Sequence, residues 1–174
     1  MTAAARLRSG VARSRRHVLA GALAAIAAAT WRVPKAAGAD QLAVRVYRDP
    51  GCGCCGAWAE HLAAAGFDVS VLARDDMATV KRDSGVPDAL ASCHTAHVGG
   101  YVVEGHVPAD DIKRMLRERL PIVGLSVTGM PVGSPGMESP GLPAEPFDVL
   151  AFDRAGRVTV FRTVPAGAGA GRGG

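Results

Sequence analysis

Three of the four cysteines stand within four residues, Cys52, Cys54 and Cys55 in "DPGCGCCGAW", and the fourth is Cys93 in "SCHT". Sulfur at this density supports three chemistries. The plainest is a pair of structural disulfides. Cys54 and Cys55 are neighbours, however, and a bond between adjacent residues strains the peptide that joins them. Two bridges drawn from this set would staple one loop twice, which stabilises a small domain little. The second chemistry is thiol–disulfide exchange by Cys52 and Cys55, whose C-x-x-C spacing is the frame of a redox motif. It needs an accessible sulfur at a helix N-terminus, where unpaired N–H groups and the helix dipole favour the thiolate. The third is metal binding, since convergent thiolates are soft ligands that select Cu(I), zinc or iron–sulfur clusters.

Charge narrows the third option. One Cu(I) among four thiolates leaves a local charge of about −3, which a partly buried site tolerates badly. Several Cu(I) ions bridged by the same sulfurs would neutralise it. Zinc is the rival, because sites of four cysteines commonly hold it, although zinc ribbons usually use two separated C-x-x-C knuckles. Met130 and Met137, in "GMPVGSPGME", add thioethers, which suit Cu(I) and serve zinc poorly. Packed on a sheet, either would be a gap-filler instead.

The five histidines are unequal. His94 adjoins Cys93 and is the best placed to be a ligand or to support one. His106, in "EGHVP", either faces the same end of the domain or lies on the surface at a helix entry. His97 completes an H-x-x-H, but residues three apart on a strand point to opposite faces, so it reads as structural. His61 reads as a solvated helix residue, and His17 falls in the N-terminal segment. Asp110 and Asp111 read as first-turn helix acids rather than catalytic groups.

Elements must bring these residues together. "LAVRVYR" (Leu42–Arg48) alternates apolar and polar residues and stops at Asp49-Pro50-Gly51, which predicts a strand. Cys55–Ala65 has helical composition and ends at Gly66. Phe67–Ala73 reads as a second strand and Asp75–Asp83 as a short helix. "TAHVGGYVVEG" reads as two strands joined at Gly99-Gly100. Pro108–Leu120 opens with proline, carries early acids and late bases, and spaces Ile112, Met115, Leu116 and Leu120 on one face. The order β-α-β-α-β-β-α is that of the thioredoxin fold, whose first strand likewise feeds a cysteine loop opening the first helix. That fold normally sets a cis-proline before its third strand, facing the cysteines; this chain has Cys93 and His94 there. Downstream, the Gly/Pro-rich loop Thr128–Pro146 is longer than an ordinary connection and reads as functional. "FDVLAFDRAGRVTVFR" reads as a closing hairpin, and residues 165–174 as a disordered low-complexity tail.

The chain has 174 residues and a formal charge of +4, yet the basic residues are unevenly spread. Residues 1–39 hold seven Lys/Arg and no acid, whereas 40–174 hold thirteen against sixteen acids. The remainder therefore carries −3 and lacks the clustered basic surface that nucleic-acid binding needs. Residues 1–39 read as an export signal. Arginines come first, then "VLAGALAAIAAA", shorter than the ~20 residues of a bilayer span. Ala37 and Ala39 then form an A-x-A cleavage site before Asp40. "SRRHVL" also matches the twin-arginine pattern for export of folded proteins. The expected destination is the periplasm, with no stable membrane association once the signal is cut.

The segments "YRDPGCGCCGAWAEHL", "SCHTA", "GGYVVEGHVPADDIKRML" and "GMPVGSPGME" resemble the CopG-type periplasmic copper-resistance proteins, over roughly Leu42 to Phe161. The resemblance implies a thioredoxin-like fold and a copper site on the C-x-C-C loop plus the later cysteine. It also implies periplasmic copper handling, including interconversion of Cu(I) and Cu(II). Carried over by position, the cluster sulfurs are Cys52, Cys54, Cys55 and Cys93; His94 and the loop bearing Met130 and Met137 match family text. The combined expectation is one thioredoxin-like α/β domain over 40–164, with an extra Gly/Pro loop and a C-terminal hairpin. It would hold several copper ions as Cu(I) and act in copper resistance by sequestration or redox turnover. Its partners would be copper ions, periplasmic copper carriers or an electron donor. A thiol–disulfide oxidoreductase using Cys52 and Cys55, and a structural zinc protein with four cysteine ligands, stay open as alternatives.

Overall fold

The computed structural model describes residues 43–167; the expected export segment 1–39 and the end of the tail, 168–174, lie outside them. The strands are β1 (Ala43–Arg48), β2 (Asp68–Ala73), β3 (His94–Val98), β4 (Tyr101–Glu104), β5 (Gly124–Ser126), β6 (Phe147–Phe152) and β7 (Val158–Val164). The helices are α1 (Gly53–Ala64), α2 (Met77–Asp83) and α3 (Ala109–Glu118), with a 3-10 turn at Asp88–Leu90. All seven strands form one sheet in the order β2-β1-β3-β4-β5-β6-β7. β1 and β2 are parallel, while β1/β3 and β3/β4 are antiparallel. The α/β thioredoxin-like order predicted from the sequence is therefore present in β2-β1-β3-β4.

Local chemistry accounts for the helix ends. α1 closes with Gly66 at φ 93°, the Gly66 N–H donating to Ala63 O and the Phe67 N–H to Leu62 O. This is the paired arrangement by which a left-handed glycine satisfies a helix's last carbonyls. α2 starts at Asp76, whose Oδ1 accepts from the Thr79 N–H at 3.0 Å, a side-chain N-cap. α3 begins after Pro108 and stops at Arg119, in the left-handed region at φ 48°. Gly99 and Gly100 both have positive φ, as a two-residue hairpin turn of this twist requires.

α1 and α3 cover one face of the sheet. Trp58, Leu62, Ile112 and Met115 bury themselves there against Val44, Val46, Ala96, Val98 and Val103. On the other face, Val86 and Leu90 pack with Val102 and Phe152.

Two features depart from expectation. The expected C-terminal hairpin is present as antiparallel β6 and β7, but an unexpected strand precedes it. β5, absent from the sequence reading, pairs parallel to β4 and antiparallel to β6, so it joins the hairpin to the sheet. Its three residues are buried and too few to show a period. α1 also begins at Gly53 rather than Cys55, which makes Cys52 its N-cap. Asp111 is buried on α3, and Arg162 of β7 grips its carboxylate through Nε (2.7 Å) and Nη2 (2.5 Å). This fork ties the added hairpin to the helix layer. Gly167 N–H donates to Ala144 O at 3.2 Å, so the first tail residues lie against the Gly/Pro loop.

Candidate metal centre

Sheet register explains why two distant sequence segments meet. Arg48, the last residue of β1, is opposite His94, the first of β3. The chain leaving β1 and the chain entering β3 therefore share one end of the sheet, which places Cys52 beside Cys93. A clamp holds the first loop: Arg48 Nη1 donates to the carbonyls of Asp49, Pro50 and Cys52 at 3.2, 3.2 and 2.9 Å. The Cys52 N–H donates to Asp49 O and the Gly51 N–H to Asp49 Oδ1. Cys54 and Cys55 follow in the first turn of α1.

The sulfurs of Cys52, Cys54, Cys55 and Cys93 all lie within 4.8 Å of one another. Expectation and structure differ in one respect: Cys52 and Cys55 are joined by a disulfide, and only Cys54 and Cys93 are free. The N-cap and third residue of a helical turn fall on one side, and their Cα atoms are 5.6 Å apart, within the range a disulfide spans. Cys54 Sγ sits 3.5 Å from Cys52 Sγ.

Two imidazoles complete the cluster. His94 and His106 are fully buried, with His94 Nδ1 3.1 Å and His106 Nε2 3.0 Å from Cys93 Sγ. Sequence alone does not decide between site and surface for His106. The structure places it in the site, through a turn at Gly105 (φ 70°) where a Cβ would stand 2.4 Å from Val127 O. His106 Nδ1 lies 2.7 Å from Pro135 O; a carbonyl only accepts, so Nδ1 carries the proton and Nε2 offers its lone pair to the sulfur side. Such a carbonyl partner is how metal-binding histidines are usually oriented. His94 leans on Trp58, ring centroids 4.3 Å apart, and its buried Nε2 has no hydrogen-bond partner. The nitrogen that faces Cys93 Sγ is Nδ1, so among the described residues Nε2 is a buried atom without a partner outside the sulfur contact.

Burial favours the uncharged form of each donor, which suits the imidazoles as ligands but keeps the Cys93 thiol protonated. Burial holds both histidines below the ordinary imidazole range; for His94 the neighbouring His106 and the Lys81 charge add to the effect. Burial also pushes the Cys93 thiol up to about 12, with Cys54 beside it acting in the same direction. Without a cation the two imidazoles are thus neutral and Cys93 is a neutral thiol. A metal ion binding here would displace the thiol proton, so affinity would rise with pH.

The Gly/Pro loop lies directly on this centre. A turn runs from Ser134 to Met137, with Met137 N–H donating to Ser134 O at 2.8 Å. Inside it, Gly136 (φ 80°) is so close to α1 that a Cβ would stand 2.6 Å from Trp58 N and 3.0 Å from Cys54 O. Met137 is half-buried beside this contact, whereas Met130 is 55 % exposed. A groove of about 530 Å³ lined by Thr128, Pro131, Phe147 and Leu150, among others, contains none of the sulfur or imidazole donors.

Beneath Cys93, on the opposite face of β3, a second polar cluster fixes the loop. Buried Glu104 accepts from Lys81 Nζ and the Ser92 N–H, both at 2.6 Å, and from Thr95 Oγ1 at 2.7 Å. Sequence reasoning misses Glu104, whose partners lie on three separate elements. It also misplaces His61. Far from being a solvated residue, His61 accepts the Ala109 N–H of α3 through Nε2 at 3.2 Å, with burial lowering its proton affinity. His97 takes the structural place expected of it, 2.9 Å from Ser84 Oγ and edge-on to Tyr47.

Residues 90–137, which carry Cys93, His94, His106, Met130 and Met137, match a family described as a protein of unknown function, DUF411. No curated protein matches the chain. Among solved structures, copper resistance protein copG, form 1, is 46% identical, with 72% of this chain and 98% of that one covered at a TM-score of 0.68. The chain belongs to the CopG family. Form 2 of the same protein agrees, at 46% identity, 71% and 98% coverage and a TM-score of 0.67. The CopG match spans nearly the whole of that chain. Among the described residues of this CopG-family chain, no helix is long and apolar enough to cross a membrane.

Proposed function

We propose that this protein binds copper at the four-cysteine centre and acts in copper resistance. The carrying observation is the convergence of four sulfurs and two buried imidazoles at one end of the sheet, a nitrogen of each ring standing about 3 Å from Cys93 Sγ. Soft sulfur with imidazole suits copper, and the relatives at 46% identity are copper resistance proteins by name. The occupant is a polynuclear Cu(I)–thiolate cluster held by Cys52, Cys54, Cys55 and Cys93 in their reduced state. His94 and His106 complete it, and Met137 and Met130 supply thioethers at its edge. The protein works in the periplasm after twin-arginine export and removal of residues 1–39, with copper carriers or an electron donor as partners. Its task is sequestration of Cu(I) or its interconversion with Cu(II).

Metal analysis of protein purified from the periplasm, with anaerobic Cu(I) titration of the reduced chain, tests this. More than one copper per chain is expected; zinc or iron in its place, or one ion per chain, would overturn the cluster. The disulfide favours a second reading, a thiol–disulfide oxidoreductase using Cys52 and Cys55 at the N-terminus of α1. A Cys54→Ser variant keeps full disulfide-reductase activity if that pair works alone.

A further inference from the structure

If copper binds as proposed, the centre brings a second redox couple beside the Cys52–Cys55 disulfide. We propose, on the basis of the copper reading above, that Cys52 and Cys55 are the electron source for reducing Cu(II) delivered to this site. In their reduced state the two thiols give one electron to each of two Cu(II) ions. The products are the Cys52–Cys55 disulfide, two Cu(I) ions and two protons. The Cu(I) ions remain on Cys54, Cys93, His94 and His106.

Three observations carry this. First, the bond forms inside a regular helix start: Cys52 is the N-cap, Cys55 lies three residues on, and their Cα atoms are 5.6 Å apart. Second, the bonded state leaves a full donor set in place. Cys54 Sγ stays 3.5 Å from Cys52 Sγ, and Cys93 Sγ keeps imidazole nitrogens at 3.1 and 3.0 Å. Two sulfurs and two nitrogens remain, a set that suits copper. A structural disulfide would not need two free thiols and an unpartnered imidazole around it. Third, Cys52 and Cys55 are the pair joined in this structure, while Cys54 and Cys93 stay free within the same cluster. Cys54 and Cys55 are adjacent, where the bond is strained, and Cys93 sits between two imidazoles.

The electron count then matches the ligand count. The two thiols give up two protons as Cu(II) binds, and the resulting pair of negative charges is lost to the disulfide as the two copper ions each lose one positive charge. The local charge is held constant through the reaction, apart from the protons released. Reopening the bond falls to a dithiol reductant, which attacks Cys52, the partly exposed sulfur, and leaves the buried Cys55 as a thiolate in the first turn of α1. There the helix N–H groups favour the leaving thiolate.

The test uses the full chain, reduced, freed of reductant and kept anaerobic. Cu(II) is added as its glycine complex, Cu(I) is read with a chromogenic chelator, and the thiols are alkylated and mapped by mass spectrometry. Cu(I) formation should stop at two per chain, with Cys54 and Cys93 alkylated and Cys52 joined to Cys55. Cys55→Ser should slow initial Cu(I) formation at least ~10-fold, because any replacement disulfide would consume Cys54 or Cys93, the sulfurs that hold the Cu(I) formed. Cu(I) formed while all four thiols stay alkylatable, or a disulfide mapped to another pair, overturns the proposal. Cu(I) offered directly to the reduced chain separates the two readings. If it binds and Cu(II) does not close the 52–55 bond, only this inference is lost; if no Cu(I) binds, the copper reading is lost with it.

Discussion

β3 carries buried polar residues on both faces, and the protein treats the two sets in opposite ways. On the α2 side, the Glu104 carboxylate is saturated: Lys81, Thr95 and the Ser92 N–H donate to it, and Lys81 also reaches Thr95. On the α1 side, two thiols are free and His94 Nε2 has no partner. A buried polar group with every bond filled rigidifies its surroundings; one left open awaits a ligand. The saturated face holds the loop that presents Cys93, and the open face uses it.

If that division is right, changes on the two faces should have separable effects. The largest is expected at Cys93, the sulfur shared by the all-cysteine group and the Cys93–His94–His106 group. Loss of residues that merely orient ligands costs roughly 10–100-fold in metal affinity, so Cys93→Ser should lower Cu(I) affinity by more than about 100-fold in chelator competition. Its unfolding midpoint in urea should stay near that of the parent. Unchanged affinity would remove Cys93 from the centre.

Glu104→Ala reverses the pattern. It strands the Lys81 ammonium, which is only slightly exposed, and breaking a buried pair costs about 3–5 kcal/mol. Urea denaturation should show this loss, while protein that remains folded should bind its full complement of copper. A loss of less than about 1 kcal/mol would mean the cluster is no stronger than a surface pair.

Gly136→Ala probes the lid on the open face. The new methyl meets the first turn of α1 in a left-handed backbone, and overpacking of this kind costs about 1–3 kcal/mol. Hydrogen exchange should quicken at Ser134–Met137 before it does in the sheet. Equal protection in parent and variant would show that the loop does not rest on Cys54 and Trp58 in solution.

The smallest effect is a pH slope away from both clusters. His61 and His97 are held below the ordinary value of 6.5, chiefly by burial. The unfolded chain therefore takes up protons first as pH falls below that value. Their contribution to stability is complete above it and is lost as pH drops toward the lower folded values. The urea midpoint should be lower at pH ~5.5 than at ~7.5, and His61→Gln, which keeps an acceptor for the Ala109 N–H, should flatten the slope. A midpoint that rises on acidification contradicts the assignment.

Local rules made much of this molecule legible. The alternation in β1, the glycine after α1, the Gly99-Gly100 turn and the charge order of α3 each encode their own element. The thioredoxin-like order followed from them, and the cysteines marked the site. What stayed hidden depends on partners far along the chain. β5 is a strand only because β4 and β6 flank it. His106 is read as part of the site only once Pro135, twenty-nine residues later, is seen to orient its ring. His61 gains a role from Ala109, forty-eight residues away, and Glu104 from Lys81. The disulfide was legible as a spacing, since Cys52 and Cys55 are three apart, but not as the pairing chosen among four sulfurs.

The Pro135 carbonyl has one more consequence. A cation on Nε2 draws electron density from the His106 ring and makes its Nδ1–H a stronger donor to that carbonyl. Occupancy and loop closure are therefore linked quantities, and linkage is reciprocal. Whatever tightens the 128–146 segment slows escape from the centre, and whatever fills the centre quiets the segment. On the copper reading proposed above, the loop would act as a latch set by its own cargo.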